Sequence, residues 1–280
     1  MLHNIFNSLK HFFSKIVQVF IPTLYKKRIY SIFKYTFDTK TVDQEFEVLP
    51  YLINNQSTVL DIGANLGEYT YFFQEVIQAK EIIVFEPIPP LSKRLRLLFP
   101  KLRIYPYAVS NQSSTSDLYI PYIGSEKFET RAKLDLLPEK NETRVDKIQV
   151  ETITLDSLFN AKSNTINFIK IDIEGHELQA IRGAKKLIKR DHPVLMVEIE
   201  YRHHPLNFYS VIEEICALGY RCTFYDKSLK SLLDVSHFSI EKHQNLSIKE
   251  NYYIHNFLFF PCCFKRLCVE VYVPRSIHVF

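Results

Sequence analysis

The chain has 280 residues, of which 46% are hydrophobic and 24% are charged, as in an ordinary folded soluble protein. One α/β domain with short extensions accounts for this length. The net charge is +4, but residues 1–37 contain six Lys or Arg and no acid, so residues 38–280 carry −2. A nearly neutral main domain argues against a nucleic-acid substrate, which requires a broad basic surface.

The first predicted element is a basic, aromatic helical segment over residues 1–37, within an extension that reaches residue 50. Apolar residues recur at helical spacing from Leu2 to Phe20, and no apolar run approaches the ~20 residues that a membrane-spanning helix needs. Such a helix can lie on the anionic inner face of a membrane. It can equally pack against the core of its own chain or against a second subunit. The sequence leaves these readings open.

The most informative segment is Thr58-Val-Leu-Asp-Ile-Gly-Ala-Asn-Leu-Gly-Glu-Tyr-Thr70. Its apolar residues predict a buried strand over 57–62 that ends in a glycine turn and opens a helix over 67–78. Asp61, before the turn, would repel a dinucleotide pyrophosphate, and the G-x-G-x-x-G spacing is missing. A ligand with a cationic amino-acid group and no phosphate fits better, and S-adenosylmethionine is such a ligand.

A second buried strand is predicted over 81–86, and it also ends in an acid. Glu86 follows Asp61 by 25 residues, close to the spacing at which an acid accepts ribose hydroxyls in nucleotide-binding α/β folds. Two hydroxyls beside one carboxylate make a bidentate contact that selects an unphosphorylated ribose. Together the two acids favour a nucleoside site over ordinary strand ends.

The remaining elements alternate between strands and helices, which predicts a parallel, doubly wound sheet. Residues 111–145 form the longest polar insertion, and we expect them to cover the acceptor. Further strands are predicted over 102–107, 117–121, 147–153, 166–173, 193–199, 221–225 and 256–260, and further helices over 89–99, 154–160, 177–190 and 207–218.

Several segments together resemble the FkbM family of S-adenosylmethionine-dependent methyltransferases. They are the glycine-turn segment from Val59 to Gly67, Val84-Phe-Glu-Pro87, Ala108-Val-Ser110, Thr154-Leu-Asp-Ser-Leu158 and the run from Ile169 to Ala184. The resemblance extends from about Val59 to Pro261, and the block Lys170–Ala184 is its most specific part. It implies a mostly parallel, seven-stranded Rossmann-like class I methyltransferase sheet. It also implies methyl transfer to a hydroxyl, commonly of a sugar or a secondary metabolite.

Ligands of such sheets lie outside the carboxyl ends of the strands, so the candidate residues are those that end or follow the predicted strands. The predicted cofactor-binding residues are Asp61, Gly63, Ala64, Asn65, Gly67, Tyr69, Glu86, Ser110 and Asp172. The catalytic candidates are Asp172, His176 and Glu198, because a hydroxyl needs a base to become a nucleophile at neutral pH. Which of them is the base stays open. Three carboxylates (Asp172, Glu174 and Glu198) could also hold a divalent cation, although the sequence does not require one. His203 and His204 are expected to face solvent.

These observations predict an O-methyltransferase acting on a sugar hydroxyl of a glycan, glycolipid or glycosylated metabolite. The predicted domain spans 51–262, between the extension 1–50 and a tail 263–280. Five cysteines without a Cys-x-x-Cys pair are typical of reduced thiols, and hence of the cytoplasm. Two alternatives remain: a catalytically inactive nucleoside-binding scaffold of the same fold, and an NAD-type oxidoreductase.

Overall fold

A computed structural model describes residues 21–39, 41–135, 142–160, 165–244 and 253–262. The helices are α1 (Pro22–Asp38), α2 (Leu49–Leu52), α3 (Glu68–Tyr71, continued by a π-helical turn Phe72–Val76), α4 (Pro89–Leu98), α5 (Leu155–Leu158), α6 (Glu177–Arg182), α7 (Lys185–Asp191), α8 (Phe208–Cys216) and α9 (Ile240–His243). The strands are β1 (Thr58–Ile62), β2 (Glu81–Phe85), β3 (Arg103–Tyr105), β4 (Ala108–Val109), β5 (Ser114–Ile123), β6 (Glu126–Lys127), β7 (Glu142–Ile153), β8 (Phe168–Ile171), β9 (Val194–Glu198), β10 (Tyr220–Asp226), β11 (Ser231–Asp234) and β12 (Asn256–Pro261). Short 3-10 turns cover Gln44–Glu47, Glu129–Arg131 and Val235–His237.

The main sheet has the strand order β11-β10-β12-β9-β8-β1-β2-β3. Strands β3, β2, β1, β8 and β9 are parallel, whereas β12 runs antiparallel between β9 and β10. The predicted mostly parallel, Rossmann-like sheet is therefore confirmed. The predicted count of seven strands is wrong, because β11 folds back on β10 and adds an eighth strand at the edge.

Both faces of the main sheet are covered, as its continuous apolar strands require. On β1, Leu60 and Ile62 pack into one hydrophobic cluster together with Leu187 and Ile188 of α7. Val59, which precedes Leu60, packs into the opposite cluster with residues of α1 and α3. Because successive side chains of a strand alternate, α1 and α7 lie on opposite faces of the sheet.

The region 111–145 differs most from its sequence-based description. Where a polar, turn-rich segment with one short strand is predicted, β5 and β7 form a long antiparallel pair in a second sheet of order β4-β7-β5-β6. Its Leu118 and Val150 pack with Ile88 and Leu91 at the start of α4 in a small separate core. The second sheet thereby lies against one end of the main sheet.

Two helices differ in the structure from their predicted extents, one at a glycine and the other at an aromatic residue. The helix expected over 177–190 is divided into α6 and α7 at Gly183. The helix expected over 67–78 begins at Glu68 and changes to π-helical geometry at Phe72.

Helix α1 packs on the main domain through Tyr25 and Phe33, which are buried in the same cluster as β1. No helix in the parts of the chain that the structure describes is long and apolar enough to cross a membrane. The predicted segments 1–20 and 263–280 lie outside those parts, and the division of the chain at residues 50 and 262 stays a prediction.

Candidate active site

The glycine turn after β1 is fixed by contacts with the two neighbouring strands. Gly63 has a φ of +76° and donates its N–H to the carbonyl of Phe85 at 3.0 Å. A Cβ on Gly63 would lie 1.8 Å from the carbonyl oxygen of Asp172, at the end of β8. Only glycine combines this left-handed conformation with so close an approach. The turn therefore brings the ends of β1, β2 and β8 together at one point.

Glu86 lies directly after β2, beside the glycine turn. Its two carboxylate oxygens accept hydrogen bonds from the backbone N–H groups of Asn65 and Ile88, both at 2.9 Å. Burial raises the pKa of Glu86 to about 7, against the lowering effect of those two bonds. Each oxygen retains a lone pair, so the carboxylate can still accept hydroxyls.

A cleft of about 570 Å³, open to solvent, lies over these strand ends. Its position at the carboxyl ends of parallel strands is where ligands of such sheets bind. One wall is polar and contains Gly63, Asn65, Glu86 and Asp172. The facing wall is apolar, and it is contributed by α4, β4 and the second sheet: Ile88, Leu91, Ala108, Val109, Leu118, Ala132 and Leu134.

Asp61 lies beneath the cleft rather than in its lining. It is fully buried, and its Oδ2 accepts a hydrogen bond from the Thr70 hydroxyl at 2.5 Å. The Lys170 ammonium lies 3.8 Å from its Oδ1. Burial raises the pKa of Asp61, with Lys170 and the Thr70 hydrogen bond opposing the rise. Asp61 is thus placed to support the glycine turn from below.

Lys170 is a buried cation at the centre of the site. Its Nζ donates to Asp172 Oδ2 at 3.0 Å and lies 4.6 Å from the centre of the Tyr69 ring. Burial acts to lower the pKa of Lys170, but Asp172 and Asp61 overcome that effect and raise it. The side chain therefore stays protonated and neutralises part of the negative charge around it.

Asp172 and Glu198 form a hydrogen-bonded carboxyl pair at the ends of β8 and β9. Burial acts to raise the pKa of Asp172, whereas Lys170 and the hydrogen bond from Glu198 lower it below its usual value. Burial and the Asp172 charge raise the pKa of Glu198 well above its usual range. Asp172 is thus the more readily ionised member of the pair, and it is the member that lines the cleft.

Two residues beside this pair were not predicted from the sequence. His255, just before β12, has its Nε2 3.9 Å from Glu198 and 3.8 Å from Asp43. Burial acts to lower the pKa of His255, but Asp43 and the carboxylates of Glu45 and Glu200 raise it to about 9. Asp43 in turn accepts a hydrogen bond from the Tyr69 hydroxyl at 2.9 Å. A cationic imidazole thus lies between two acids on the side away from Glu86.

His176 and Ser110 contact each other rather than lining the cleft. His176 Nε2 lies 2.9 Å from the Ser110 hydroxyl, and its Nδ1 lies 2.8 Å from Asp135. Both ring nitrogens are therefore engaged. Since Ala132 and Leu134 precede Asp135 in the apolar wall, this contact ties that wall to the start of α6.

The expectation that His203 and His204 face solvent is wrong, because both are buried. His203 Nε2 lies 3.2 Å from Glu174, and His204 Nε2 lies 3.0 Å from Glu177. Glu177 also accepts the backbone N–H of Gly175 at 2.9 Å. These pairs hold the turn between β8 and α6 in place.

The structure brings Gly63, Asn65, Glu86 and Asp172 into the cleft lining. The other predicted residues surround it: Asp61, Ala64, Gly67 and Tyr69 support the glycine turn, Glu198 pairs with Asp172, and Ser110 pairs with His176. No group of three or more metal-ligating side chains with metal-binding geometry occurs among the described residues.

The sequence from residue 61 to 222 matches the model of the methyltransferase FkbM domain. No curated protein sequence matches the chain significantly. Among solved structures, methyltransferase FkbM from Methylobacillus flagellatus KT is similar, with 14% identity and a TM-score of 0.47. The similarity covers 74% of this chain but 44% of that protein's length.

Two further solved structures are remotely similar. Aeropyrum pernix fibrillarin, in complex with bound S-adenosyl-L-methionine, has 11% identity and a TM-score of 0.42, covering 77% of this chain and 72% of its own. A TehB-like SAM-dependent methyltransferase from Corynebacterium glutamicum has 10% identity and a TM-score of 0.41. That similarity covers 85% of this chain and 99% of the Corynebacterium protein. These structures are too dissimilar to assign a family. The match to the FkbM domain assigns it, because it spans more than half of the sequence. The chain belongs to the FkbM methyltransferase family.

Proposed function

We propose that the chain is an S-adenosylmethionine-dependent O-methyltransferase that acts on a sugar hydroxyl of a glycan, glycolipid or glycosylated metabolite. The observation that carries this proposal is the pair of Asp172 and Glu198 beside the cleft at the strand ends. Asp172 lines the cleft and accepts a hydrogen bond from Lys170 at 3.0 Å, and Lys170 and Glu198 both favour its ionised form.

The cleft residues fit the cofactor. The apolar wall suits the adenine ring, and the Glu86 carboxylate suits the two ribose hydroxyls. The Oδ1 atom of Asn65, a residue of the cleft lining, is buried without a hydrogen-bond partner in the described structure, so it offers an acceptor to a ligand. When bound, the cofactor supplies an electrophilic methyl group. The chain's part is to hold it and to prepare the acceptor.

Asp172 is our candidate for the group that removes the acceptor proton. Methylation of a hydroxyl breaks its O–H bond, and the proton must pass to a nearby base. Asp172 is ionised, and Lys170 and Glu198 hold its carboxylate in place through hydrogen bonds. His176 is a weaker candidate, since Ser110 and Asp135 already engage both of its ring nitrogens.

A neutral, hydroxyl-rich acceptor suits the charges on the other side of the pair. Cationic His255 and anionic Asp43 lie there, separated by 3.8 Å. At this distance the two groups attract each other without a direct hydrogen bond, so each could bond separately to a hydroxyl of the acceptor. The positive and negative charges largely balance, which suits a sugar better than a phosphorylated or strongly basic acceptor.

Calorimetric titration with S-adenosylhomocysteine tests the cofactor, and transfer of label from radioactive S-adenosylmethionine to carbohydrate fractions tests the reaction. We expect binding by the wild type, and by Asp172→Asn and Glu198→Gln, with label transfer lost in Asp172→Asn. Asp117→Asn, on the exposed side of β5, is the matched control and should transfer label normally.

Failure of the folded wild type to bind S-adenosylhomocysteine would overturn the proposal. Stabilisation by NADH instead would favour an oxidoreductase. Cofactor binding without transfer to any hydroxyl-bearing fraction would favour the inactive scaffold.

A further inference from the structure

Helix α1 has two apolar faces, and only one of them packs on other residues that the structure describes. The inner face is firmly attached: Tyr25 and Phe33 are buried, and the Tyr30 hydroxyl donates to the carbonyl of Leu98 at 3.2 Å. The Phe37 ring stacks on Phe72, with 5.1 Å between ring centres. Packing on the chain's own core therefore accounts for one side of the helix only.

The opposite side of α1 exposes four large apolar residues. Ile21, Leu24, Ile32 and Tyr35 each expose between 47% and 67% of their surface. Their spacing places them within one face of an α-helix. Single exposed apolar side chains are normal on a protein surface, but a row along one helix indicates an interaction surface.

Basic side chains accompany this row. Lys27, Arg28 and Lys34 are exposed on α1, and no Asp or Glu occurs before residue 38. We propose that the outer face of α1, defined by Ile21, Leu24, Arg28, Ile32 and Tyr35 with flanking Lys27 and Lys34, docks on an anionic lipid surface. A helix face with apolar residues between basic ones matches the boundary between headgroups and acyl chains.

Charge favours lipid over the two other candidate occupants. A symmetric second copy would bring the same basic residues against each other, which costs free energy. Residues 1–20 carry Lys10 and Lys15 and no acid, so they offer nothing to neutralise Lys27 or Arg28. Anionic headgroups match the charge of this face and would receive its apolar residues at the same time.

The helix that carries the docking face is joined to the active-site turn by residues outside that face. Arg94 donates to the Tyr25 hydroxyl of α1 at 2.9 Å and to the carbonyl of Leu66, within the glycine turn, at 3.3 Å. Thr36, near the other end of α1, donates to Glu68 at 3.4 Å. Docking through α1 would thus hold the cofactor-side loop near the lipid surface. The inference does not depend on the proposed reaction, because it concerns a surface outside the cleft.

Co-sedimentation of the full chain with phosphatidylcholine vesicles, with and without phosphatidylserine, tests the proposal. We expect binding only to vesicles with phosphatidylserine, and release at high salt. Removing the charges of Lys27 and Arg28 with Lys27→Gln and Arg28→Gln together should weaken binding by roughly 25-fold, at about fivefold per charge. Leu24→Ser with Ile32→Ser should weaken it at low salt as well.

Matched controls lie on the opposite face of the sheet or on a distant loop. Lys186→Gln on α7 and Leu206→Ser, both exposed, should bind vesicles as the wild type does. Unchanged S-adenosylhomocysteine binding, or an unchanged melting temperature if that ligand does not bind, shows that each variant is folded.

Wild-type protein that stays in the supernatant with anionic vesicles would overturn the proposal. So would α1 variants that bind like the wild type, which would assign the contact to residues 1–20. A dimer in light scattering that dissociates in the Leu24→Ser, Ile32→Ser variant, without vesicle binding, would instead assign the face to a second copy.

Discussion

Lys170 and Asp172 lie two residues apart on the same side of β8 and its end, with Nζ of one 3.0 Å from Oδ2 of the other. The same ammonium faces Asp61 from the neighbouring strand β1 at 3.8 Å. One buried cation thus serves the carboxylate beneath the glycine turn and the carboxylate in the cleft. Two parallel strands are joined here through side chains as well as through their backbones.

Replacing Lys170 with Met should lower the free energy of unfolding by about 3–5 kcal/mol, because it leaves buried carboxylates without their counter-charge. Urea denaturation at neutral pH measures this change. Lys186→Met, on the exposed surface of α7, is the control and should change stability by less than about 0.5 kcal/mol. Equal stability of the two variants would show that Lys170 does not stabilise the strand ends.

Affinity for S-adenosylhomocysteine should rise with pH through the ionisation of Glu86. The pKa of this buried acid is raised to about 7, and ribose hydroxyls bind the charged form better. Below about pH 7 we expect up to about a tenfold loss of affinity for each pH unit. Glu86→Gln should bind weakly and lose this pH dependence, whereas exposed Glu126→Gln should retain it. A wild-type affinity that does not vary between pH 6 and 8 would contradict the prediction.

The same pKa has a consequence for the stability of the unliganded protein. Because the folded pKa of Glu86 lies above its ordinary value of 4.5, its contribution to stability is fully present below about pH 4.5 and is lost by about pH 7. Glu86→Gln should remove this contribution to the pH dependence, so the difference in stability between wild type and variant should itself change over that range.

Gly63→Ala should abolish cofactor binding and destabilise the domain. Its Cβ would lie 1.8 Å from the Asp172 carbonyl, in addition to the strain of a positive φ. Gly124→Ala isolates the second effect, since Gly124 also has a positive φ but has open space around it. The control should cost only the left-handed strain, about 1–2 kcal/mol, and should bind S-adenosylhomocysteine normally. Similar losses in both variants would show that close approach is unimportant.

Asp135→Asn should weaken S-adenosylhomocysteine binding about fivefold, because it weakens the contact that holds the apolar wall to His176. The hydrogen bond with His176 lowers the pKa of Asp135, against the opposing effect of burial, so the native partner is the ionised carboxylate. Asp117→Asn, which weakens an exposed ion pair with Lys147, is the control and should leave affinity unchanged. Equal affinities in the two variants would show that this contact does not shape the cleft.

Local sequence patterns predicted the parts of the site that follow buried strands. Apolar runs that end in Gly63, Glu86 and Asp172 identify three strand ends, and the rule for parallel sheets places them at one edge. The structure agrees, with all three in the cleft lining. Each of these residues is positioned by its own strand, so a short window of sequence was enough.

The sequence did not predict contacts that depend on distant segments. Asp43 and His255 are separated by most of the chain, and neither belongs to a motif, yet the pairing of β12 with β9 brings His255 beside Glu198. The sequence around His203 and His204 is typical of a solvent-exposed loop, but contacts with Glu174 and Glu177 hold both rings inside the protein. Edge strand β11 was missed for a similar reason, since its pairing with β10 rather than its composition defines it.

The position of β12 limits the order in which this fold can be assembled. β12 fills the gap between β9 and β10, although it is synthesised after both. A nascent chain that has not yet reached Asn256 presents two open strand edges in the middle of its sheet, where they can pair with other chains. Completion of the domain, and of the contacts between His255 and Glu198, therefore requires that β12 has left the ribosome. Truncation before that strand would yield an aggregating chain rather than a smaller enzyme.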